Sequence, residues 1–469
     1  MGKAIGRPAV AACSLSALFA FRIATASAAL PTYQVQDLGT LGGSITQAND
    51  LNERGQVTGY SETRSGEFRA FLYTGGSMRD LGTLGGSGAL GNALNDSGNV
   101  TGFGVTADGR THAFLYANGV MRDIGLPNTQ TVGGDISNTG QVAGYSIEPD
   151  GRSRAFAHTG GRSRDLGLPA SSNSFAVGIN FFGDIVGTSQ DGAGSHVFFY
   201  RAGVRRDVFP GRVSSIFGSQ ALNDMGQVTG SYERSGLTRG FLYANGRAVD
   251  IGTLGGDYSF GMGISGNGDI TGVAATAAGQ RHAFVYYAGS MTDLGTLGGT
   301  VSFGYAINRA RQVAGEATIA SGGYHAFVTS HGRMVDLGAA LEKLRRSSFI
   351  ESVAYDINGL GQVIGRYYLP DPANPSQVRF RAFIATPIVV LFDNLLVKTV
   401  GIGPGKSLFS KARAASLSYA AQDKSRTCSA IAAFVKEIDG QTPKKVTRDA
   451  AAVLRGEARG IADALGCAP

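Results

Sequence analysis

One motif returns along this chain at an almost constant interval, and that interval limits the folds open to it. The motif is an Asp followed by a hydrophobic residue and, in seven of eight copies, a Gly; residues 80–86 (DLGTLGG) show it in full. The copies are 42 or 43 residues apart. A fixed period of this length indicates a repeat architecture built from similar supersecondary units. The copies begin at Asp37, Asp80, Asp123, Asp165, Asp207, Asp250, Asp293 and Asp336, and the Asp207 copy lacks the Gly.

Two further signals recur with the same period. About 15 residues after most Asp copies comes a turn of the form Asn-x-x-Gly-x-Val-x-Gly, as at Asn52 and Asn95. Ser137 and Ser265 replace its Asn in two copies, and Arg311 replaces its first Gly in another. A Phe then follows, with an Arg or His two positions before it. Those cations are Arg69, His112, Arg154, His196, Arg239, His282, His325 and Arg381.

Each unit is expected to contain four strands. In the first unit, segments 48–52, 56–61, 69–73 and 78–81 are short, rich in aromatic and β-branched residues, and separated by Gly and polar clusters. Four strands in about 43 residues is the content of one propeller blade. The chain starts with the last strand of a unit, at 33–38, and its final copy ends one strand early, after 381–384. We therefore predict a mainly β fold, an eight-bladed β-propeller closed by pairing of its first and last strands.

The segments on either side of the repeats differ from them. Residues 1–28 have a basic start, an apolar run and a small-residue cleavage site, which predicts a secretory signal peptide. Residues 29–387 contain the repeats. Residues 388–469 show helical spacing and predict a small α-helical domain, with Thr447 as an N-cap. No later stretch has the roughly 18 apolar residues of a membrane span.

Charge and cysteine content narrow the location and the partners. Residues 29–387 carry 27 basic and 28 acidic side chains, so the basic pI comes from the flanking segments and nucleic acid is not an expected partner. Cys428 and Cys467 remain after signal cleavage, which suggests a disulfide in an exported, secreted or periplasmic protein. The disulfide would close a loop of about 39 residues and contribute on the order of 4 kcal/mol.

The recurring Asp and cation have two interpretations. A pair within each unit would hold its hairpins in register, because buried charges are normally paired. Alternatively, the cations would form a ring around a central channel that binds an anion. No histidine pair has the spacing of a metal site, and the letters GMGISG at 261–266 lie inside a β repeat, so neither a metal nor another cofactor is predicted. Tyr60, Tyr145, Tyr232 and Tyr367 are candidate stacking platforms for sugars, although packing is the commoner role of such tyrosines.

The three recurring motifs resemble the HAF repeat family of bacterial extracellular proteins over residues 33–386. Residues from about 391 are similar to the small helical FIMAH-type domain appended to exported bacterial proteins, through 407–411 (SLFSK), Cys428, 433–435 (AFV), Gln441, 444–445 (KK) and 465–467 (LGC). The resemblance implies secretion and a repeat architecture. It brings no catalytic residues.

We therefore expect an exported, non-enzymatic binding scaffold, with an extracellular polysaccharide or a surface protein as its partner. Its ligand site is predicted in the two insertions of the eighth unit, a short helix at 339–346 and a Pro-rich loop at 370–375, where Arg345 and Arg346 are the exposed charges. The alternative is a secreted carbohydrate-active hydrolase or lyase. Eight nearly equivalent units disfavour that alternative, because catalysis needs one asymmetric site. A cluster of two or three carboxylates with perturbed pKa in one pocket would favour it.

Overall fold

A computed structural model describes residues 32–167, 173–192, 194–210, 213–346, 351–371, 378–403, 406–443 and 445–467. The predicted signal peptide lies outside the described residues. The described chain is mainly β, in four-stranded antiparallel sheets, of which the sixth and seventh are joined by a parallel bridge between Arg281 and Val301, and it ends in α-helices. Four strands per unit is the number expected from the repeat.

The first four units each form one sheet, with its strands in sequence order. Sheet 1 contains β2 Gly42–Leu51, β3 Val57–Thr63, β4 Phe68–Thr74 and β5 Ser77–Asp80. Sheet 2 contains β6 Gly85–Leu94, β7 Val100–Thr106, β8 Thr111–Ala117 and β9 Val120–Asp123. Sheet 3 contains β10 Gln130–Ile136, β11 Val142–Ile147, β12 Ser153–Thr159 and β13 Arg162–Asp165. Sheet 4 contains β14 Asn173–Ile179, β15 Ile185–Asp191, β16 Gly194–Arg201 and β17 Val204–Asp207.

The next three units repeat the pattern, with one irregularity. Sheet 5 has a two-residue first strand, β18 Ser214–Ser215, followed by a 3₁₀ turn at Ser219–Ala221 and then by β19 Val228–Arg234, β20 Leu237–Ala244 and β21 Arg247–Asp250. Sheet 6 contains β22 Gly255–Ile264, β23 Ile270–Thr276, β24 Arg281–Tyr287 and β25 Ser290–Asp293. Sheet 7 contains β26 Gly298–Ile307, β27 Val313–Ile319, β28 Tyr324–Ser330 and β29 Arg333–Asp336.

The eighth sheet is built from both ends of the repeat region. Its strands are β30 Ser352–Ile357, β31 Val363–Pro370, β32 Val378–Pro387 and β1 Tyr33–Asp37, where β1 precedes all the others in sequence. β1 pairs antiparallel with β32, from Tyr33 opposite Pro387 to Asp37 opposite Phe383. This is the pairing expected from the sequence.

The hydrophobic core lies between neighbouring sheets. The eight repeat phenylalanines, of which Phe71 and Phe383 are the first and last, are fully buried. Phe71 packs with Leu38 and with Ile364 and Ile384 of sheet 8, so the first sheet shares a core with the eighth. Burying one such ring contributes roughly 1.5–3 kcal/mol, and the stability of the region is therefore spread over many small interfaces.

The recurring turn also links one unit to the next in the six copies that begin with Asn. Asn52 Oδ1 accepts hydrogen bonds from the backbone N–H groups of Arg54 and Gln56, and its Nδ2 donates to the carbonyl of Asn95 in the next unit at 3.0 Å. Asn358 of the eighth unit donates in the same way to the carbonyl of Asn52 at 3.0 Å. The link between the last and first units is therefore the same as the link between units 1 and 2.

Two positions of this turn favour glycine for different reasons. The first Gly needs a left-handed backbone (φ +74° at Gly55), and Arg311 adopts the same conformation (φ 59°) in the copy that lacks Gly. Its guanidinium lies 3.3 Å from the centre of the Tyr287 ring. The last Gly leaves no room for a side chain, since a Cβ at Gly59 would lie 1.9 Å from the carbonyl oxygen of Gln47.

The C-terminal helices form a separate core. They are α2 Ile388–Thr399, α3 Ser407–Ala420, α4 Lys424–Gln441 and α5 Arg448–Leu465, numbered after the short α1 Gly338–Arg345 between β29 and β30. The predicted N-cap is present, because the Thr447 side chain accepts the N–H of Ala450. The predicted disulfide joins Cys428 to Cys467. No helix in the described part of the chain is long and apolar enough to cross a membrane.

Candidate functional site

In each sheet the predicted cation lies on the third strand and the predicted Asp at the end of the fourth strand. In six units the cation contacts the Asp of its own unit. His112 Nδ1 is 2.7 Å from Asp123, for example, and Arg381 is 3.2 Å from Asp37. The six pairs are Arg69–Asp80, His112–Asp123, Arg154–Asp165, His282–Asp293, His325–Asp336 and Arg381–Asp37. Burial alone would lower the pKa of His325, but its bond and attraction to Asp336 raise that pKa.

Units 4 and 5 have other partners at these positions. His196 contacts Asp191 at 3.2 Å, and Asp207 contacts Arg205 at 2.6 Å. Asp250 accepts a hydrogen bond from Tyr232 Oη at 3.1 Å, while Arg239 lies on β20 at the position equivalent to Arg69. All these cations lie on the third strand of a sheet, and the six contacts within units are those expected if the pair holds the hairpins of a unit in register.

The insertion of the eighth unit forms the predicted short helix. Leu341 of α1 is fully buried, so this helix is packed onto the repeat region. Arg345 lies 3.6 Å from Asp37 and 6.0 Å from the centre of the Tyr367 ring, whereas Arg346 is exposed. Of the second insertion, Pro370 and Asp371 are described and 372–375 lie outside the described residues.

The four candidate tyrosines occupy different environments. Tyr60 lines the central cavity described below. Tyr145 packs edge-on against Phe175. Tyr232 and Tyr367 are buried, and Tyr367 Oη donates to Asp37 at 2.7 Å. Tyr232 and Tyr367 are therefore packing residues and not stacking platforms. They lie two positions after the last Gly of the turn, whereas Tyr60 and Tyr145 lie one position after it. Because side chains alternate along a strand, Tyr232 and Tyr367 are on the opposite face of the sheet from Tyr60 and Tyr145.

The most asymmetric feature of the repeat region is the first strand of unit 5. Several units have a Ser or Thr whose hydroxyl accepts a backbone N–H from the preceding sheet, as Ser259 does for Gly240. Outside unit 5, this hydroxyl residue stands six positions before the Asn or Ser that begins the recurring turn. In unit 5 the equivalent Ser214 stands nine positions before Asn223. The extra residues replace the strand with the 3₁₀ turn at Ser219–Ala221.

This turn reaches residues of other units. Gln220 Nε2 donates to Asp356 Oδ1 of unit 8 at 2.7 Å. The Phe217 ring stacks on Tyr305 of unit 7, with ring centres 5.4 Å apart and an angle of 23°. The first strands of sheets that are not neighbours in sequence therefore meet around one space.

That space, which we call the central cavity, has a volume of about 490 Å³. Such a volume lies within the range of about 300–1,000 Å³ that is typical of small-ligand sites. Its aromatic wall is formed by Tyr60, Phe217, Tyr305 and Tyr355, and Gln47, Asn49, Gln220 and Arg366 add polar groups. Phe217 is 54% exposed, so one face of its ring is open to solvent.

Arg366 is the cation of the cavity wall. Its Nη1 donates to Gln47 Oε1 at 3.0 Å, and its guanidinium lies 5.4 Å from the centre of the Tyr355 ring. Among the described residues, no carboxylate lies within 4 Å of it and its Nε has no hydrogen-bond partner. A partly buried positive charge is thus held by rings and an amide without a counter-ion in direct contact.

The tyrosines of the wall remain neutral. Burial raises the pKa of both Tyr305 and Tyr355 above the usual tyrosine value. Tyr305 Oη donates to Glu316 Oε1 at 2.7 Å, and burial raises the pKa of that carboxyl as well. The wall therefore presents rings, hydroxyls and amides, and Arg366 is its formal charge.

Three carboxylates, the buried Asp356 and the partly buried Asp50 and Asp135, bind backbone N–H groups. Asp50 accepts hydrogen bonds from the backbone N–H groups of Leu51 in its own unit and Leu94 in the following unit. Asp135 and Asp356 each accept one N–H from their own unit and one from the following unit in the same way. Burial raises the pKa of Asp135 and of Asp356 to about 6, and burial with repulsion from Asp356 raises that of Asp50. No carboxylate among the described residues lines the cavity itself, so the arrangement predicted for an enzyme is absent from its wall.

Two other cavities are present. One of about 830 Å³ lies between units 3 and 4, beside the ion pair of Arg201 and Asp184. Another of about 1,020 Å³ separates the repeat region from the helical domain, near Tyr33 and Tyr419. Within the described ranges, no three His, Cys, Asp or Glu side chains are grouped as a metal site.

Sequence reasoning missed the central cavity. Of its wall, only Tyr60 was a candidate. Two signals were available: the nine-residue spacing from Ser214 to Asn223, and the charges of Glu316 and Arg366 at the position after the turn Gly, which is uncharged in the other six units.

No family model and no curated protein sequence matches the chain. Among solved structures, it is similar to a puromycin-hydrolysing peptidase of Mycobacterium tuberculosis (13% identity, TM-score 0.40, 74% of this chain and 63% of that one). It is also similar to TolB of Acinetobacter baumannii (12%, 0.34, 59% and 76%) and to a mutant Aleuria aurantia lectin in complex with α-methyl-L-fucoside (12%, 0.27, 55% and 96%). The chain spans only 63% and 60% of two puromycin hydrolases, and similarity at these TM-scores assigns no function.

Proposed function

We propose that residues 29–387 form an eight-bladed β-propeller that serves outside the cytoplasm as a non-enzymatic binding scaffold, and that the ligand occupies the central cavity. The observation that carries this proposal is the asymmetric wall. Units 1, 5, 7 and 8 bring four aromatic rings, amides and one arginine to a single space of about 490 Å³. Concave, largely apolar sites with a few placed polar groups are typical of ligand binding.

The location outside the cytoplasm is supported by the disulfide between Cys428 and Cys467, because disulfides persist in oxidising compartments. It agrees with the signal predicted at 1–28 and with the resemblance to HAF-repeat proteins. An extracellular polysaccharide or a surface protein is the expected class of partner.

Catalysis is the less favoured function. A glycoside hydrolase needs two carboxyl groups facing its substrate. The carboxylates with raised pKa, Asp50, Asp135 and Asp356, instead bind backbone N–H groups of two units each. Their role in the structure is to join units.

The proposal is tested by a glycan-array and cell-envelope pull-down screen with the chain lacking residues 1–28. Wild type is compared with Phe217→Ala and with Phe182→Ala, a matched control whose exposed ring lies outside the cavity. We expect a specific partner that Phe217→Ala loses and Phe182→Ala keeps. An Arg345→Ala/Arg346→Ala double variant tests the site predicted in the eighth unit. Loss of binding in that variant alone would move the site to α1.

A further inference from the structure

We propose that the ligand of the central cavity is a sugar that carries a carboxylate, with its ring stacked on Phe217 and its carboxylate held by Arg366. This inference rests on the proposed function and specifies its chemistry. The juxtaposition that carries it is an open aromatic face and an arginine without a carboxylate partner in one cavity.

The charge indicates an anion. Arg366 is partly buried, its Nε lacks a hydrogen-bond partner among the described residues, and the nearby Glu316 is engaged by Tyr305. A charge withdrawn from water is normally paired, so an incoming carboxylate would complete the coordination of this guanidinium. Arginine presents donors in a planar fork that matches a carboxylate.

The number of cations indicates a monoanion. Arg366 is the sole cationic side chain in the described wall of the cavity. A phosphate group carries up to two charges and is usually bound by several donors or cations. One arginine with neutral neighbours fits a single carboxylate better.

The rings indicate a flat, partly apolar ligand. Phe217 stacks on Tyr305 with one face and leaves the other open. A sugar ring has a C–H face that packs against such a surface and a rim of hydroxyl groups. Tyr60 lies in the same wall and offers a hydroxyl to that rim.

Isothermal titration calorimetry with the chain lacking residues 1–28 tests the inference. The probes are oligogalacturonate and oligoglucuronate, each beside its methyl ester, which keeps the ring and removes the charge. We expect the wild type to bind at least one acid about tenfold or more tightly than its ester, since a charge-assisted hydrogen bond has this magnitude.

Two variants assign the contacts. Arg366→Gln should weaken acid binding about tenfold or more and remove the preference over the ester, while Arg413→Gln, at an exposed arginine of α3, should change neither. Phe217→Ala should weaken both acid and ester about two- to tenfold, and Phe182→Ala should not. Because the acid–ester comparison uses wild type, it stands even if Arg366→Gln folds poorly.

The outcomes separate the two proposals. Equal affinity for acid and ester, or no binding of any acidic probe, would overturn the carboxylate inference. A neutral glycan whose binding is lost in Phe217→Ala would retain the cavity and reject the ligand class. Binding that Phe217→Ala leaves unchanged would reject the cavity itself, and with it the proposed function.

Discussion

The regular units of this protein pack against one another, whereas the irregular units also contribute residues to the central cavity. Unit 2, with its ten-residue first strand β6, keeps the full repeat pattern, and its repeat Phe114 is buried between sheets. Unit 5 has lost most of that strand and places Phe217 and Gln220 in the space between units. The regular positions therefore form the sheets and the core between them, whereas departures from the repeat in units 5, 7 and 8 supply the candidate site.

The largest expected contrast lies between a buried and an exposed Phe. Phe156→Ala removes a fully buried ring of a regular unit and should lower the free energy of unfolding by about 3–5 kcal/mol. Phe217→Ala removes a half-exposed ring and should change it by no more than about 1 kcal/mol. Urea denaturation followed by circular dichroism measures both. Similar losses would show that Phe217 is part of the frame.

The carboxyl group of Asp135 should make the stability of the wild type depend on pH in a way that an Asn at this position does not. Burial raises the pKa of Asp135 to about 6, so the folded protein holds this proton more tightly than the unfolded chain. Its penalty on stability sets in as pH rises from about 4 to about 6 and is constant above. We expect the stability of Asp135→Asn relative to wild type to increase over this window by roughly 1–3 kcal/mol. Parallel stability–pH curves would contradict the raised pKa.

The pairing of the eighth unit with the first can be tested by comparing the same hydrogen bond at two places in the repeat region. Asn95→Ala and Asn358→Ala each remove a turn side chain that bonds to the next unit at 3.0 Å, within the series and across its ends respectively. Each should cost about 1–2 kcal/mol of unfolding free energy. Both side chains also accept two N–H groups within their own turn, so if the eighth unit did not join the first, Asn358→Ala would still be destabilising but by clearly less than Asn95→Ala.

The smallest effect is expected at Arg346. This side chain is exposed at the end of α1, so Arg346→Ala should alter the free energy of unfolding by less than about 0.5 kcal/mol and leave ligand binding unchanged. Thermal unfolding and the same calorimetric titration check this. A marked loss of binding would return the site to the eighth-unit insertion.

Period and motif predicted most of the frame, because each recurring residue has one repeated task. The Asp before each hydrophobic-Gly step, the turn Asn and the buried Phe all act within a unit or toward its neighbour, so their spacing reveals their roles. The central cavity was not predictable in the same way. Gln220 and Asp356 are 136 positions apart, with units 6 and 7 between them in sequence, and meet only because the fold brings units 5 and 8 to one space. Local spacing contains no information on such a meeting.

The pairing of β1 with β32 has a consequence for how the chain is made. Asp37 and Arg381, which meet there, lie 344 positions apart. At synthesis rates of about 5–20 residues per second, the first strand waits on the order of 20–70 s for its partner. During that time the unit it belongs to does not exist. A product cut short before the eighth unit would lack β32 and leave β1 without the strand that it pairs with.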